Sequence, residues 1–146
     1  MRLENVADSR DLGHRLARVL REGDVVALFG ELGAGKTTIS RAVLEGLGLQ
    51  SEAASPTFPI VLTYDPPEVR LPLWHVDLYR IEDRVELDEL ALDEGRESGA
   101  LLIEWPERMG AMLWRDSLCL HLVVEADGSR ALTAQVPAAW GARWPL

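Results

Sequence analysis

Lys36 is the only lysine in these 146 residues, and it stands inside Gly30-Glu31-Leu32-Gly33-Ala34-Gly35-Lys36-Thr37, a complete G-x-x-x-x-G-K-S/T pattern. Arginine supplies the rest of the 15 basic residues, so lysine is used where its shape matters. Successive backbone N–H groups of a glycine-bent loop can wrap phosphate oxygens, a compact ammonium can reach between β- and γ-phosphates, and the next hydroxyl can bind Mg²⁺. A planar guanidinium does not fit that slot. From the chain's own composition, a chance match is on the order of one in two thousand.

The flanking residues fit the same chemistry. Val25 to Phe29 form an unbroken apolar run, as expected for a strand covered on both faces of a parallel sheet. Ile39, Val43, Leu44 and Leu47 recur at helical spacing after the loop, which puts any phosphate at a helix N-terminus. Gly46 and Gly48 mark that helix's end.

Nucleotide hydrolysis also needs acids for the metal and for water. Ala100-Leu101-Leu102-Ile103-Glu104 is a second apolar run ending in a carboxylate, the pattern of a Walker B acid. Asp77 ends Leu73-Trp74-His75-Val76 and can approach from the other side. His75 has no metal-ligand spacing around it and suits a structural hydrogen bond. Trp105-Pro106 either fixes the loop beside the nucleotide or packs. Thr57 falls in a loop where GTPases place a switch threonine. A guanine-reading N-K-x-D motif needs a second lysine, so ATP is favoured over GTP.

The remaining elements have to position these groups. Asp8 or Ser9 can cap a first helix with Leu12, Leu16, Val19 and Leu20 as its stripe. Ile60 to Tyr64 and Leu71 to Asp77 suggest an antiparallel hairpin across Asp65-Pro66-Pro67. Leu118 to Val124 and Ala131 to Val136 suggest another across Asp127-Gly128-Ser129. Glu82 to Glu97 is strongly acidic, with Val85, Leu87, Leu90 and Leu92 as an inner face for one or two short helices. Cys119 lies in an apolar run and is expected to be a buried small hydrophobe. Trp140 and Trp144 are expected to pin the tail to the core.

A 47% hydrophobic chain of this length is expected to form one α/β domain burying roughly 70% of its unfolded surface. The sheet should be mainly parallel with antiparallel additions and flanking helices, the P-loop NTPase arrangement. The net charge of −9 argues against direct nucleic-acid binding, so any RNA connection should run through a partner. No leader or membrane span is legible, which leads to an expected cytoplasmic location.

Four segments together, Gly30 to Thr38, Ser55-Pro56-Thr57-Phe58, His75-Val76-Asp77-Leu78-Tyr79-Arg80 and Ile103-Glu104-Trp105-Pro106-Glu107, resemble the bacterial TsaE (YjeE) family in order and spacing. The resemblance implies a small ATPase that binds and hydrolyses Mg-ATP, with low activity alone. It implies that this ATPase supports a TsaD–TsaB complex in forming N6-threonylcarbamoyladenosine in tRNA. By position, Leu32, Gly33, Ala34, Gly35, Lys36, Thr37 and Thr38 would hold phosphates, and Thr37 with Glu104 would bind Mg²⁺. Asp77 would serve the nucleotide or its attacking water, and Thr57 would sense the γ-phosphate. Gly128 falls where a family loop approaches the nucleotide, and Ser9 where the family often has threonine. Two other readings are a small-molecule phosphotransferase and a nucleotide-gated binding module. The acidic stretch from Arg80 to Arg96 stands where a kinase would carry an arginine-bearing lid.

Overall fold

Val25, Val26, Ala27 and Leu28 are each at most 1% exposed because their strand has a parallel neighbour on either side and helices above and below. The computed structural model describes residues 1–53 and 60–145. In chain order the strands are β1 (Arg2–Leu3), β2 (Val25–Phe29), β3 (Val61–Tyr64), β4 (Leu73–Asp77), β5 (Ala100–Glu104), β6 (Leu118–Val124) and β7 (Arg130–Gln135). They form one sheet in the order β1-β7-β6-β2-β5-β4-β3. The four central strands β6, β2, β5 and β4 are parallel, while β3, β7 and β1 add antiparallel at the edges. Both expected hairpins are present. No helix among the described residues is long and apolar enough to cross a membrane.

Side chains on a strand alternate between faces, so each central strand serves two cores. Val26, Leu28, Ala100, Leu102 and Leu73 pack with α1 (Val6–Val19) and α2 (Lys36–Gly46). Val25, Leu101, Ile103 and Val76 pack on the other side with Leu87 of α3 (Arg84–Glu89) and Leu92 of α4 (Leu92–Ser98). The acidic segment thus forms two short helices, but Val85 is 66% exposed and does not join the inner face. The same alternation places His75, Asp77 and Glu104 on the α2 side.

Helix α1 begins earlier than its apolar stripe suggests. Asn5, extended at φ −155°, is the cap, and its side chain accepts from the Asp8 amide at 2.9 Å. Asp8 accepts in turn from the Glu4 amide at 2.8 Å. The first turn carries the exposed Val6 and no inward apolar residue until Leu12, so hydrophobic periodicity cannot register it. Cys119 is half-buried rather than buried: it alternates with Leu118 and Leu120, which take the face of β6 packed in the core with α1 and α2. Trp140 is 1% exposed, and Arg143 bonds to both oxygens of Asp24 at 2.7 and 3.1 Å, which fixes the tail beside β2.

The approach of α1 to α2 depends on absent side chains. A Cβ at Gly13 would lie 2.4 Å from Ala42 Cβ and 2.8 Å from the Ile39 carbonyl oxygen. Gly13→Ala is therefore expected to destabilise the fold. Overpacking costs about 1–3 kcal/mol, against a helix-propensity gain of about 1 kcal/mol, and contact with backbone puts the cost at the upper end. A lower urea midpoint with an unchanged slope is the expected result; an unchanged midpoint would show that the helices separate freely.

Candidate functional site

Parallel strands deliver their carboxyl ends to one edge of the sheet, and the candidate residues from β2, β4 and β5 meet there with the start of α2. The loop leaves β2 at Gly30 and turns through Gly33 and Gly35, at φ +84° and +105°. Gly35 caps α2 in the left-handed region and offers no side-chain acceptor. The first N–H groups of α2 are consequently left without a side-chain cap, and the helix dipole adds positive potential at the same point. Leu32, at the loop's tip, is 80% exposed, and Thr38 is half-buried in the first turn of α2.

Lys36 is only 5% exposed. Its ammonium donates to the Gly30 carbonyl at 2.5 Å and stands 3.5 Å from the centroid of the Trp105 ring. Burial lowers its pKa, against the opposing pull of Glu104, Glu107 and Asp77. The charge is thus partly stripped of water before any anion arrives. Trp105 adopts φ +57° at the end of β5, a left-handed conformation unusual for a bulky residue, and Tyr79 packs against it at 4.9 Å between centroids.

Glu104 is 2% exposed and lies under α2. Its Oε1 accepts from the Thr37 hydroxyl at 2.9 Å. Its Oε2 lies 2.6 Å from His75 Nε2 and 3.4 Å from the Ser40 hydroxyl, which makes a shorter bond of 3.0 Å to the Lys36 carbonyl. Asp77 is the register partner of Glu104 on the adjacent strand, and its Oδ1 accepts from the Tyr79 amide at 2.9 Å.

Burial raises the Asp77 pKa, with Glu104 adding to the rise and the Tyr79 amide, His75 and Lys36 opposing it. The folded protein then binds more protons than the unfolded chain as pH climbs from the ordinary value of 3.8, so this group's contribution to stability falls through that window. Asp77→Asn keeps the turn to Tyr79 and removes the charge. The variant is expected to melt slightly higher than the parent at neutral pH, with the gain vanishing below pH 3.8. Melting curves across that range check the sign.

Gly30 to Thr38, Asp77 and Glu104 are thus brought together. Gly128 sits in the β6–β7 connection and reaches the loop through Arg130, which donates to the carbonyls of Gly128, Ala34 and Gly33, the last two at 3.2 Å. Ser9 is buried in the first turn of α1. Thr57 lies outside the described residues. Three features were not foreseen from sequence: the Arg130 tie, the Ser40 contact, and the hold of His75 on Glu104. The His75 contact had one readable trace, since His75 and Asp77 are two apart on a strand and must share a face.

The profile of a family described as threonylcarbamoyl adenosine biosynthesis protein TsaE matches residues 3–132. A Streptomyces coelicolor protein named tRNA threonylcarbamoyladenosine biosynthesis protein TsaE is 39% identical over 142 residues, covering 87% of this chain and 96% of its own. A Bacillus subtilis protein of the same name is 36% identical over 133 residues, covering 90% and 82%. The crystal structure of Bacillus subtilis YdiB superposes with a TM-score of 0.80 at 29% identity, covering 98% of this chain and 88% of that one.

Proposed function

This chain belongs to the TsaE family, and on that premise we propose that it is a Mg²⁺-dependent ATPase acting in tRNA N6-threonylcarbamoyladenosine biosynthesis. In this reading it supports a TsaD–TsaB complex, meets tRNA only through that complex, and works in the cytoplasm. The observation that carries the reading is the 2.9 Å bond between Thr37, the last residue of the loop pattern, and Glu104, the acid at a neighbouring strand end. That bond joins the phosphate-binding and metal-binding halves of one site.

Each residue has a separable task. The N–H groups from Leu32 to Thr38 receive phosphate oxygens, and Lys36, already desolvated, neutralises the β- and γ-phosphates. The hydroxyl of Thr37 and the carboxylate of Glu104 are hard oxygen donors of the kind Mg²⁺ prefers, and they would hold it. The metal, when bound, screens the charge on the phosphates. Asp77, fixed by the Tyr79 amide on the strand beside Glu104, would orient the attacking water or take its proton. Thr57 would sense the γ-phosphate. Gly128 would approach the nucleotide from the hairpin that Arg130 ties to the loop.

Purified protein is expected to release phosphate from ATP slowly in Mg²⁺, to stop in EDTA, and to change rate when TsaD and TsaB are added. A phosphate-release assay under these three conditions tests the reading. No turnover in any of them would overturn the ATPase assignment; turnover indifferent to the two proteins would overturn the partner assignment.

A further inference from the structure

His75 is fully buried on β4, and among the described residues its imidazole has one hydrogen-bond partner, the Glu104 carboxylate. We propose that His75 is a positioning residue for the metal site: its Nε2–H donates to Glu104 Oε2, which keeps Oε1 turned towards Thr37. The proposal rests on the Mg-ATP reading above and adds to it the group that sets the acid's orientation.

Four observations converge. Register puts His75 opposite Leu102 and Asp77 opposite Glu104, so the imidazole lies one step below Glu104 on the same face and reaches up to it. The two carboxylate oxygens are divided between partners, Thr37 on Oε1 at 2.9 Å and His75 on Oε2 at 2.6 Å. Ser40 has a single proton, and its shorter contact is to the Lys36 carbonyl, which leaves His75 as the firm donor to Oε2. Finally, His75 Nδ1 is buried without a partner among the described residues. A proton there would face no acceptor and would turn the Nε2 lone pair onto a carboxylate lone pair, so the Nε2–H tautomer is the one that fits. Without that donor, Glu104 Oε2 loses its partner in a site water does not reach, and the carboxyl group is free to rotate away from Thr37. Outer partners that orient a metal's ligands commonly set affinity by 10- to 100-fold.

The test exploits the two ring nitrogens. A glutamine amide nitrogen reaches where Nε2 sits, an asparagine amide nitrogen only as far as Nδ1, and phenylalanine offers the shape without a donor. The affinity of the full chain for a nonhydrolysable ATP analogue is measured by calorimetry in EDTA and across a Mg²⁺ series, with melting curves to monitor folding. All three variants are expected to bind the analogue in EDTA as the parent does. The Mg²⁺ concentration giving half of the metal-dependent gain should be unchanged in His75→Gln and raised roughly tenfold or more in His75→Asn and His75→Phe. Should His75→Phe fail to fold, the Gln and Asn pair still decides. A parental Mg²⁺ response in His75→Asn, an equal rise in Gln and Asn, or a fall in EDTA affinity matching the fall in Mg²⁺ would each overturn the proposal. A parent protein whose analogue affinity ignores Mg²⁺ would instead overturn the underlying Mg-ATP reading.

Discussion

Lys36→Ala is expected to abolish measurable ATP association at concentrations that saturate the parent, a loss of about 3 kcal/mol or roughly two orders of magnitude in affinity. The size follows from where the ammonium sits. It is nearly buried, held by one carbonyl and the face of Trp105, and burial has already lowered its pKa. A charge desolvated in advance gains more from an arriving phosphate than one that must first shed water. The same fact gives the control. The lowered pKa means that the unfolded chain binds the proton more readily than the folded one, so the charge on Lys36 opposes folding at neutral pH and offsets the Gly30 and Trp105 contacts that alanine loses. The melting temperature of Lys36→Ala without nucleotide is expected to match the parent's or exceed it slightly, while the rise in melting temperature on adding Mg-ATP disappears. Lys36→Arg should fail as well, since a planar fork cannot enter between two phosphates from this position. Calorimetry showing equal affinity in Lys36→Ala would remove the loop from the function.

Glu104→Ala should have the second largest effect, a fall in turnover of about 100-fold, near 3 kcal/mol of transition-state stabilisation. Two losses combine in it. In the proposed site Mg²⁺ would lose an oxygen donor, and Thr37 loses the acceptor that orients its hydroxyl at 2.9 Å. Glu104→Gln separates them, because an amide oxygen can still accept from Thr37 while the charge is gone. It is expected to remain folded, to bind nucleotide in EDTA like the parent, and to turn over nearly as slowly as the alanine variant. Single-turnover phosphate release in both variants checks this. Parental turnover in Glu104→Gln would confine Glu104 to a structural role.

Local chemistry with a short period was legible in the sequence. The loop, the apolar strands that end in Phe29 and Glu104, and the hairpin at Asp127-Gly128-Ser129 announce themselves within a few residues, and the structure has them where the pattern puts them. The order of the sheet was legible only as a class. Which strand lies beside β2 depends on long-range packing, and β5 and β6, some 75 to 90 residues onward, are its neighbours. The cap at Asn5 was missed because the inward residue of the helix's first turn, Ser9, is polar and gives no hydrophobic signal. Val85 was misplaced for a related reason: in a six-residue helix, one apolar side chain can fall on the outer face without costing the fold. Arg130 was hidden by distance, since it meets Gly33 and Ala34 across almost 100 residues of chain. The grip of His75 on Glu104 needs the register of β4 against β5, which no single strand's pattern reveals.

The solitary lysine also constrains how the molecule can be handled. Amine-directed dyes, biotinylation reagents and surface-immobilisation chemistries can find only one side-chain amine, and it is the one beneath Trp105 at the mouth of the loop. Any sample coupled through that amine has lost the charge that the proposed ATP site depends on. The thiol of Cys119, half-buried on β6 and also the sole one of its kind, offers attachment through a different functional group.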